Sequence, residues 1–213
     1  MSRAAVSGRP AAPRRARSRA WRDARFVALD FETTGLDPST DVVISFGVVP
    51  VLGGRAVMAG SMHQLIDPAV PPSPRSQTIH ELRPQDLAGS PRMEEARGTL
   101  GTAIGAAYLL VWYADVELTF LRLMFGGGRR TWRRRTIDVR NLAIAADAAP
   151  RDVAKRPGYA LTATAERFGV PVADPHNALD DALVTAQLFL VLVGKLPGEP
   201  EPSVRRLLRI GRP

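Results

Sequence analysis

Residues 26–31 form an apolar run, Phe26-Val27-Ala28-Leu29-Asp30-Phe31, whose bulky and β-branched side chains predict a buried strand. The Thr33-Thr34-Gly35 that follows predicts its end, and Asp37-Pro38-Ser39-Thr40 predicts a turn. Val42–Val51 reads as a second strand, and Gly53-Gly54 as a hairpin into a third near residues 55–66. A proline-rich loop over 66–74 leads to a predicted helix over 87–107, broken near Gly98 and Gly101. Tyr108–Tyr113 predicts a short buried strand, Val116–Phe125 a helix and Thr136–Val139 another strand. Tyr159–Pro171 has the apolar spacing of an amphipathic helix with Gly169 as its C-cap. A last helix carries apolar residues at 179, 183, 186 and 187–190, its start marked by Asp174-Pro175. Early strands joined by a hairpin, then alternating helices and strands, predict an α/β sheet of mixed direction.

Polar residues interrupt this pattern at two places. Asp30 and Glu32 are two apart on the first strand and therefore share a face. Two carboxylates on one face of an apolar strand repel each other and lose solvation, which cations or protons must offset. A divalent metal site is one reading, and a strand end where both acids reach water is the other. His176 stands at or just before the first turn of the last helix, and Asp181 lies on it. A histidine on an entry loop beside a carboxylate on a rigid helix suits a mobile general base next to a fixed metal ligand.

Asp30-Phe31-Glu32-Thr33-Thr34-Gly35-Leu36 and His176-Asn177-Ala178-Leu179-Asp180-Asp181-Ala182 together resemble the first and third motifs of the DEDDh 3′–5′ exonucleases. That family includes the proofreading epsilon subunit of bacterial DNA polymerase, ribonuclease T and oligoribonuclease. The resemblance covers about residues 25–193. It implies a ribonuclease H-like fold, a mixed β-sheet flanked by helices. The family's second motif, roughly Val-x-His-Asn-x-x-Phe-Asp-x-x-Phe-Leu, aligns on Phe120-Leu121 and puts Glu117 at the acidic position. Here Trp112 and Tyr113 replace His-Asn, and glutamate replaces aspartate. Asp115 is the rival acid, about 200° away round a helix of 3.6 residues per turn. Thr78-Ile79-His80-Glu81-Leu82 is similar to the family's Ile-His-Gly-Ile loop with Glu81 in place of the glycine, and His80 is either a substrate contact or a packing residue. Asp138 matches an aspartate that is not a metal ligand in the family.

The resemblance implies two Mg²⁺ or Mn²⁺ ions held by Asp30, Glu32, Glu117 and Asp181, with His176 deprotonating the attacking water. It implies single-stranded DNA or RNA 3′ ends as substrate, DNA favoured, and nucleoside 5′-monophosphates as product. A non-catalytic single-strand-binding protein on the same fold, and a hydrolase of short oligonucleotides, are the competing readings. Nothing in the sequence identifies a polymerase partner or a homodimer.

The chain has 213 residues, 45% of them hydrophobic, enough for one full core. It lacks cysteine, which excludes disulfides and thiolate metal sites. No run reaches the length of a membrane-spanning helix and no signal peptide is evident, so a cytoplasmic protein is expected. The formal charge of +8 suits a polyanionic partner, but residues 1–25 hold eight arginines against one acid, a local +7 that leaves +1 for residues 26–213. Residues 1–24 are accordingly expected to be a disordered Arg-rich tail, either a nucleic-acid-binding arm or a solvated one, preceding an exonuclease domain at 25–195. Residues 196–213 form a basic C-terminal segment, a small helix or a frayed tail. Gly126-Gly127-Gly128 and the five arginines around Trp132 suit a flexible loop that either binds single strands by phosphate pairing and stacking or is simply solvated.

Overall fold

Strand β1 (Phe26–Thr33) is buried on both faces, and its alternation sorts the whole core. Phe26 and Ala28 face one helical layer, whereas Val27, Leu29 and Phe31 face the other. The computed structural model describes residues 10–13, 20–147 and 158–213. β2 (Val43–Leu52) pairs antiparallel with β1, and its other edge carries β3 (Arg55–Ala56) and β4 (Met62–Leu65). On the opposite side of β1 lie β5 (Tyr108–Val111) and then β6 (Thr136–Asp138), both parallel to it. The six-stranded sheet is therefore mixed, as expected, in the order β3-β2-β1-β5-β6 with β4 beside β2. The third strand predicted over 55–66 is split in two by a short 3-10 turn at Met58–Gly60.

Three short or medium helices follow β4: α1 (Pro74–His80), α2 (Pro84–Leu87) and α3 (Met93–Ile104). α3 runs unbroken through Gly98 and Gly101, contrary to the sequence expectation. Its Ala96, Leu100 and Ile104 are buried at helical spacing, and that burial outweighs the ~1 kcal/mol helix cost of each glycine. α4 (Ala114–Phe125) and α5 (Arg129–Arg133) complete this layer through Leu118, Leu121 and Trp132. The other layer consists of α6 (Val139–Ala146), α7 (Leu161–Arg167), α8 (Ala178–Val193) and α9 (Val204–Ile210). α8 is the central helix, packed across β1, β2 and β5 and against α6 and α7.

Two boundaries move. The expectation of disorder for residues 1–24 lies outside the described residues at 1–9 and 14–19, but residues 20–24 belong to the folded body. Trp21 is 3% exposed, packs edge-on to Phe189 of α8, and its backbone N–H donates to Pro202 O. Burying an indole of this size contributes several kcal/mol, which offsets much of the cost of ordering residues 20–24. At the other end, residues 204–210 are a helix whose Val204 and Leu207 enter the same core, and Asp138 N–H donates to Gly211 O across the open edge of β6. No helix among the described residues is long and apolar enough to cross a membrane.

Candidate active site

Four carboxylates from three elements meet at the C-terminal end of β1. Asp30 and Glu32 continue the even-numbered face that begins with Phe26 and Ala28, so they point toward α8. Asp181 stands on the first turn of α8. Asp30, Glu32 and Asp181 each offer an oxygen, and these atoms lie within 4.8 Å of one another. Glu117 comes from the first turn of α4, in the opposite layer, and is 4% exposed.

A residue that sequence reasoning missed sets the depth of this cleft. Gly47 pairs with Asp30 across the β1–β2 ladder, and a Cβ placed there would lie 2.0 Å from Ala178 O and 2.4 Å from Leu179 N. Only glycine lets the start of α8 press this closely on β2, and that contact carries Asp181 to Asp30. Asn177, rather than Asp174-Pro175, caps the helix: its side-chain oxygen accepts from Leu179 N–H at 3.0 Å. The loop after β1 is tied by Asp41, which accepts from the Thr34 hydroxyl at 2.8 Å and from Asp37 N–H at 2.8 Å.

The electrostatics are those of charges brought together without counter-ions. Among the described residues, no Arg or Lys pairs with any of the four acids. Desolvation, and then the charges of Glu117, Glu32 and Asp181, push Asp30 well above the ordinary carboxylate range. Glu32 is raised to about 8, by desolvation first and Asp181 second. Asp181 rises to about 6 through desolvation, opposed by the N–H of His176, which donates to its Oδ2 at 3.2 Å. Glu117 is raised by desolvation and then by Asp138 and Glu32, and its Oε2 is buried with no hydrogen-bond partner.

Asp115, the rival for the second-motif position, faces outward. Its side chain is 65% exposed and forms an ion pair with Arg129. Asp138 is buried and caps two helices, accepting from Ala114 N–H at 3.1 Å and Arg140 N–H at 3.0 Å. His176 is exposed at the cleft rim with φ of 66°, in the left-handed region that non-glycine residues occupy at a cost of roughly 1–2 kcal/mol. His80 is 6% exposed, accepts from Leu82 N–H at 3.0 Å through Nδ1, and has no partner at Nε2. Burial lowers its pKa, and the charge of His176 adds to that.

The stacking arrangement read from residues 129–135 does not form. Trp132 is 1% exposed, its Nε1 donates to Gly126 O at 2.9 Å and its ring lies 5.8 Å from that of Phe125. A nucleobase has no access to it. Arg135 is also buried, donating to Ala107 O and to Ala11 O.

A mixed sheet between two helical layers, with an acidic cluster at the end of its central strand, is a ribonuclease H-like nuclease fold. The chain matches the exonuclease (RNase T) family model over residues 27–189. It is 36% identical over 172 residues to the PolC-type DNA polymerase III of Thermotoga maritima, covering 80% of this chain and 12% of that protein. It is 23% identical over 189 residues to the 3′–5′ exonuclease DinG of Staphylococcus aureus, covering 89% of this chain and 20% of that protein. E. coli exonuclease I, solved in complex with a dT13 oligonucleotide, superposes with a TM-score of 0.68 at 15% identity, over 81% of this chain and 41% of that one. The chain thus spans about an eighth of the PolC relative and a fifth of DinG. It belongs to the exonuclease family.

Proposed function

We propose that this protein is a metal-dependent 3′–5′ exonuclease that hydrolyses single-stranded nucleic acid, DNA in preference to RNA, to nucleoside 5′-monophosphates. The carrying observation is the carboxylate cluster: three acids with oxygens within 4.8 Å and a fourth with an unpartnered buried oxygen. Oxygen-only donors suit Mg²⁺ or Mn²⁺, and an uncompensated negative cavity fits cations better than it fits any neutral role. Asp30, Glu32, Glu117 and Asp181 would hold two such ions, which supply Lewis-acid stabilisation of the phosphate charge when bound.

The chain's own residues account for the remaining steps. Unneutralised, the four carboxylates would repel the scissile phosphate, so cations held by them would be needed for the cleft to accept it. His176, at the rim, takes the proton from the attacking water, whose oxygen bonds to phosphorus as the P–O3′ bond breaks; the departing O3′ leaves with a solvent proton. Its loop position lets the imidazole follow the water while the Asp181–His176 backbone bond keeps the loop attached to α8. A cleft lying at a strand end between two helical layers admits a frayed or single-stranded end more readily than a duplex. The similarity to a PolC-type DNA polymerase and to DinG supports DNA as the polymer.

The test is a denaturing-gel time course on 5′-labelled single-stranded DNA and the matching RNA, in Mg²⁺, Mn²⁺ and EDTA, beside Asp30→Ala and His176→Ala. A ladder shortening from the 3′ end only with metal, and lost in Asp30→Ala, is expected. Folded protein that binds both strands and shortens neither removes catalysis and leaves a binding module.

A further inference from the structure

Beyond the outer edge of β6 lies a groove of about 740 Å³ that the catalytic reading does not use. α5 and the residue after it supply Arg129, Arg130, Arg133 and Arg134. α9 and its C-terminal extension supply Arg205, Arg209 and Arg212, and no acidic residue lines the groove. Two stretches 70 or more residues apart in the chain therefore converge to make one strongly basic surface, which neither stretch makes alone. Arg129 pairs with Asp115, and Arg133 donates to Pro213 O. Among the described residues, six of the seven guanidinium groups have no Asp or Glu partner.

Six like charges held together repel one another, a cost that salt screens in part and a bound polyanion would remove. Arginine, with its planar fork of donors, matches phosphate in a way that lysine does not. The aromatic ring that would read bases, Trp132, is buried on the inner face of α5 and unavailable. What remains is recognition of a sugar-phosphate backbone, blind to base sequence.

Position selects the source of that backbone. Arg129 bonds Asp115 on the outer face of the first turn of α4, the same turn that carries Glu117 on its inner face, so the groove begins on the outer side of the helix that walls the carboxylate cleft. β6 is two strands from β1, a lateral distance of about 10 Å. We infer that the groove holds the phosphates of a nucleic-acid strand 5′ to the end being cut, anchoring long substrates while leaving short ones to the cleft alone. This rests on the exonuclease reading for the cut end, but not for the binding itself. An acidic peptide is the other polyanion of comparable shape; a start one helix from the cleft and a lining of arginines with only Leu208 as an apolar contact favour the strand.

The experiment uses the full chain and the exposed triple substitution Arg134→Ala, Arg205→Ala and Arg209→Ala, with circular dichroism to verify the fold. Fluorescence anisotropy in EDTA follows binding of a labelled single-stranded DNA of about 20 nucleotides across a salt series, since single-strand sites span roughly 4–16 nucleotides. The wild type is expected to bind with a steep salt dependence, and the variant's log–log slope to fall by about 2, near 0.7 for each lost phosphate contact. Cleavage of an oligonucleotide of about 4 nucleotides in Mg²⁺ should be unchanged, because that substrate reaches only the cleft. Equal slopes and affinities for the two proteins overturn the inference. So does tighter, arginine-dependent binding of hexaglutamate than of DNA, which would make the groove a protein-docking surface. If neither protein cleaves any strand yet the slope difference appears, the groove stands and the exonuclease reading falls.

Discussion

The strain stored in the acidic cluster can be measured without substrate, through Glu32. This residue is 9% exposed, and its carboxyl is pushed to about 8 by desolvation and by Asp181. A group whose folded pKa exceeds its unfolded value stabilises the fold fully below the unfolded value, and that contribution is lost as pH rises through the folded one. Taking the unfolded carboxyl near its ordinary 4.5, the window runs from about 4.5 to about 8. A gap of roughly three and a half pH units at 1.36 kcal/mol each is about 5 kcal/mol, and since Asp30 and Asp181 share the same protons, about 2 kcal/mol is a fair share for Glu32. For a domain of this size that corresponds to ~4–8 °C in Tm. The assay is thermal unfolding in EDTA between about pH 5 and pH 9, for the wild type and Glu32→Gln. The wild type should lose stability toward high pH by that amount relative to the variant, and saturating Mg²⁺ or Mn²⁺ should restore it, by about 2.7 kcal/mol at a hundredfold excess over Kd. Parallel Tm profiles for the two proteins in EDTA would refute the placement of Glu32 in an uncompensated cluster.

Two further outcomes follow from the geometry. Glu117→Gln, which removes one buried carboxylate from the cleft, should lower kcat on a short oligonucleotide by about a hundredfold or more, while Asp115→Ala, at an exposed position, stays within about threefold; equal losses would put the second-motif acid at 115. Glu81 adopts φ of 59°, so Glu81→Gly should relieve left-handed strain and, net of glycine's larger unfolded entropy, raise stability by about 0.5–1 kcal/mol in a denaturant titration. A decrease there would mean that the Glu81 side chain contributes more than its backbone costs.

The glutamate at 81 illustrates what the sequence could and could not convey. Its departure from the related loop was visible as a substitution of glycine, and the structure supplies the physical content: the position is left-handed. The face shared by Asp30 and Glu32 was legible because strand periodicity is strict, and Asp181 because helical periodicity placed it on the first turn. Long-range packing was not legible. Gly47 is an ordinary residue within an apolar strand until α8 is laid across it, and Trp132 reads as a stacking platform until Phe125 and Gly126 are folded over it. The same holds for Trp21, whose arginine-rich neighbours masked its partner on α8. The misses at Gly47 and Trp21 are contacts between residues far apart in the chain, and that at Trp132 is a turn folding back on its own helix, none of which apolar periodicity encodes. The converging arginines of α5 and α9 are a fourth case.

The departures in the second motif bear most directly on function, and the structure shows how they are accommodated. Tyr113 precedes α4 with φ of 65° and caps it with no side-chain hydrogen bond. The first turn of α4 would be loosely held if nothing else satisfied its N–H groups. Asp138 does so from β6: one carboxylate oxygen accepts from Ala114 N–H and the other from Arg140 N–H, and these bonds partly offset the rise in its pKa on burial. The Arg140 guanidinium lies 5.2 Å from the Tyr113 ring centre, tying the same corner from outside. The start of α4 is thus registered against the neighbouring strand rather than by the residues at 112–113. Glu117, one turn in, inherits that fixed position, and its longer side chain ends in a buried oxygen with no partner rather than in solvent. With Trp-Tyr in place of His-Asn the helix is anchored from β6 and its acid still points inward, which favours the proposed four-carboxylate site over a degenerate one.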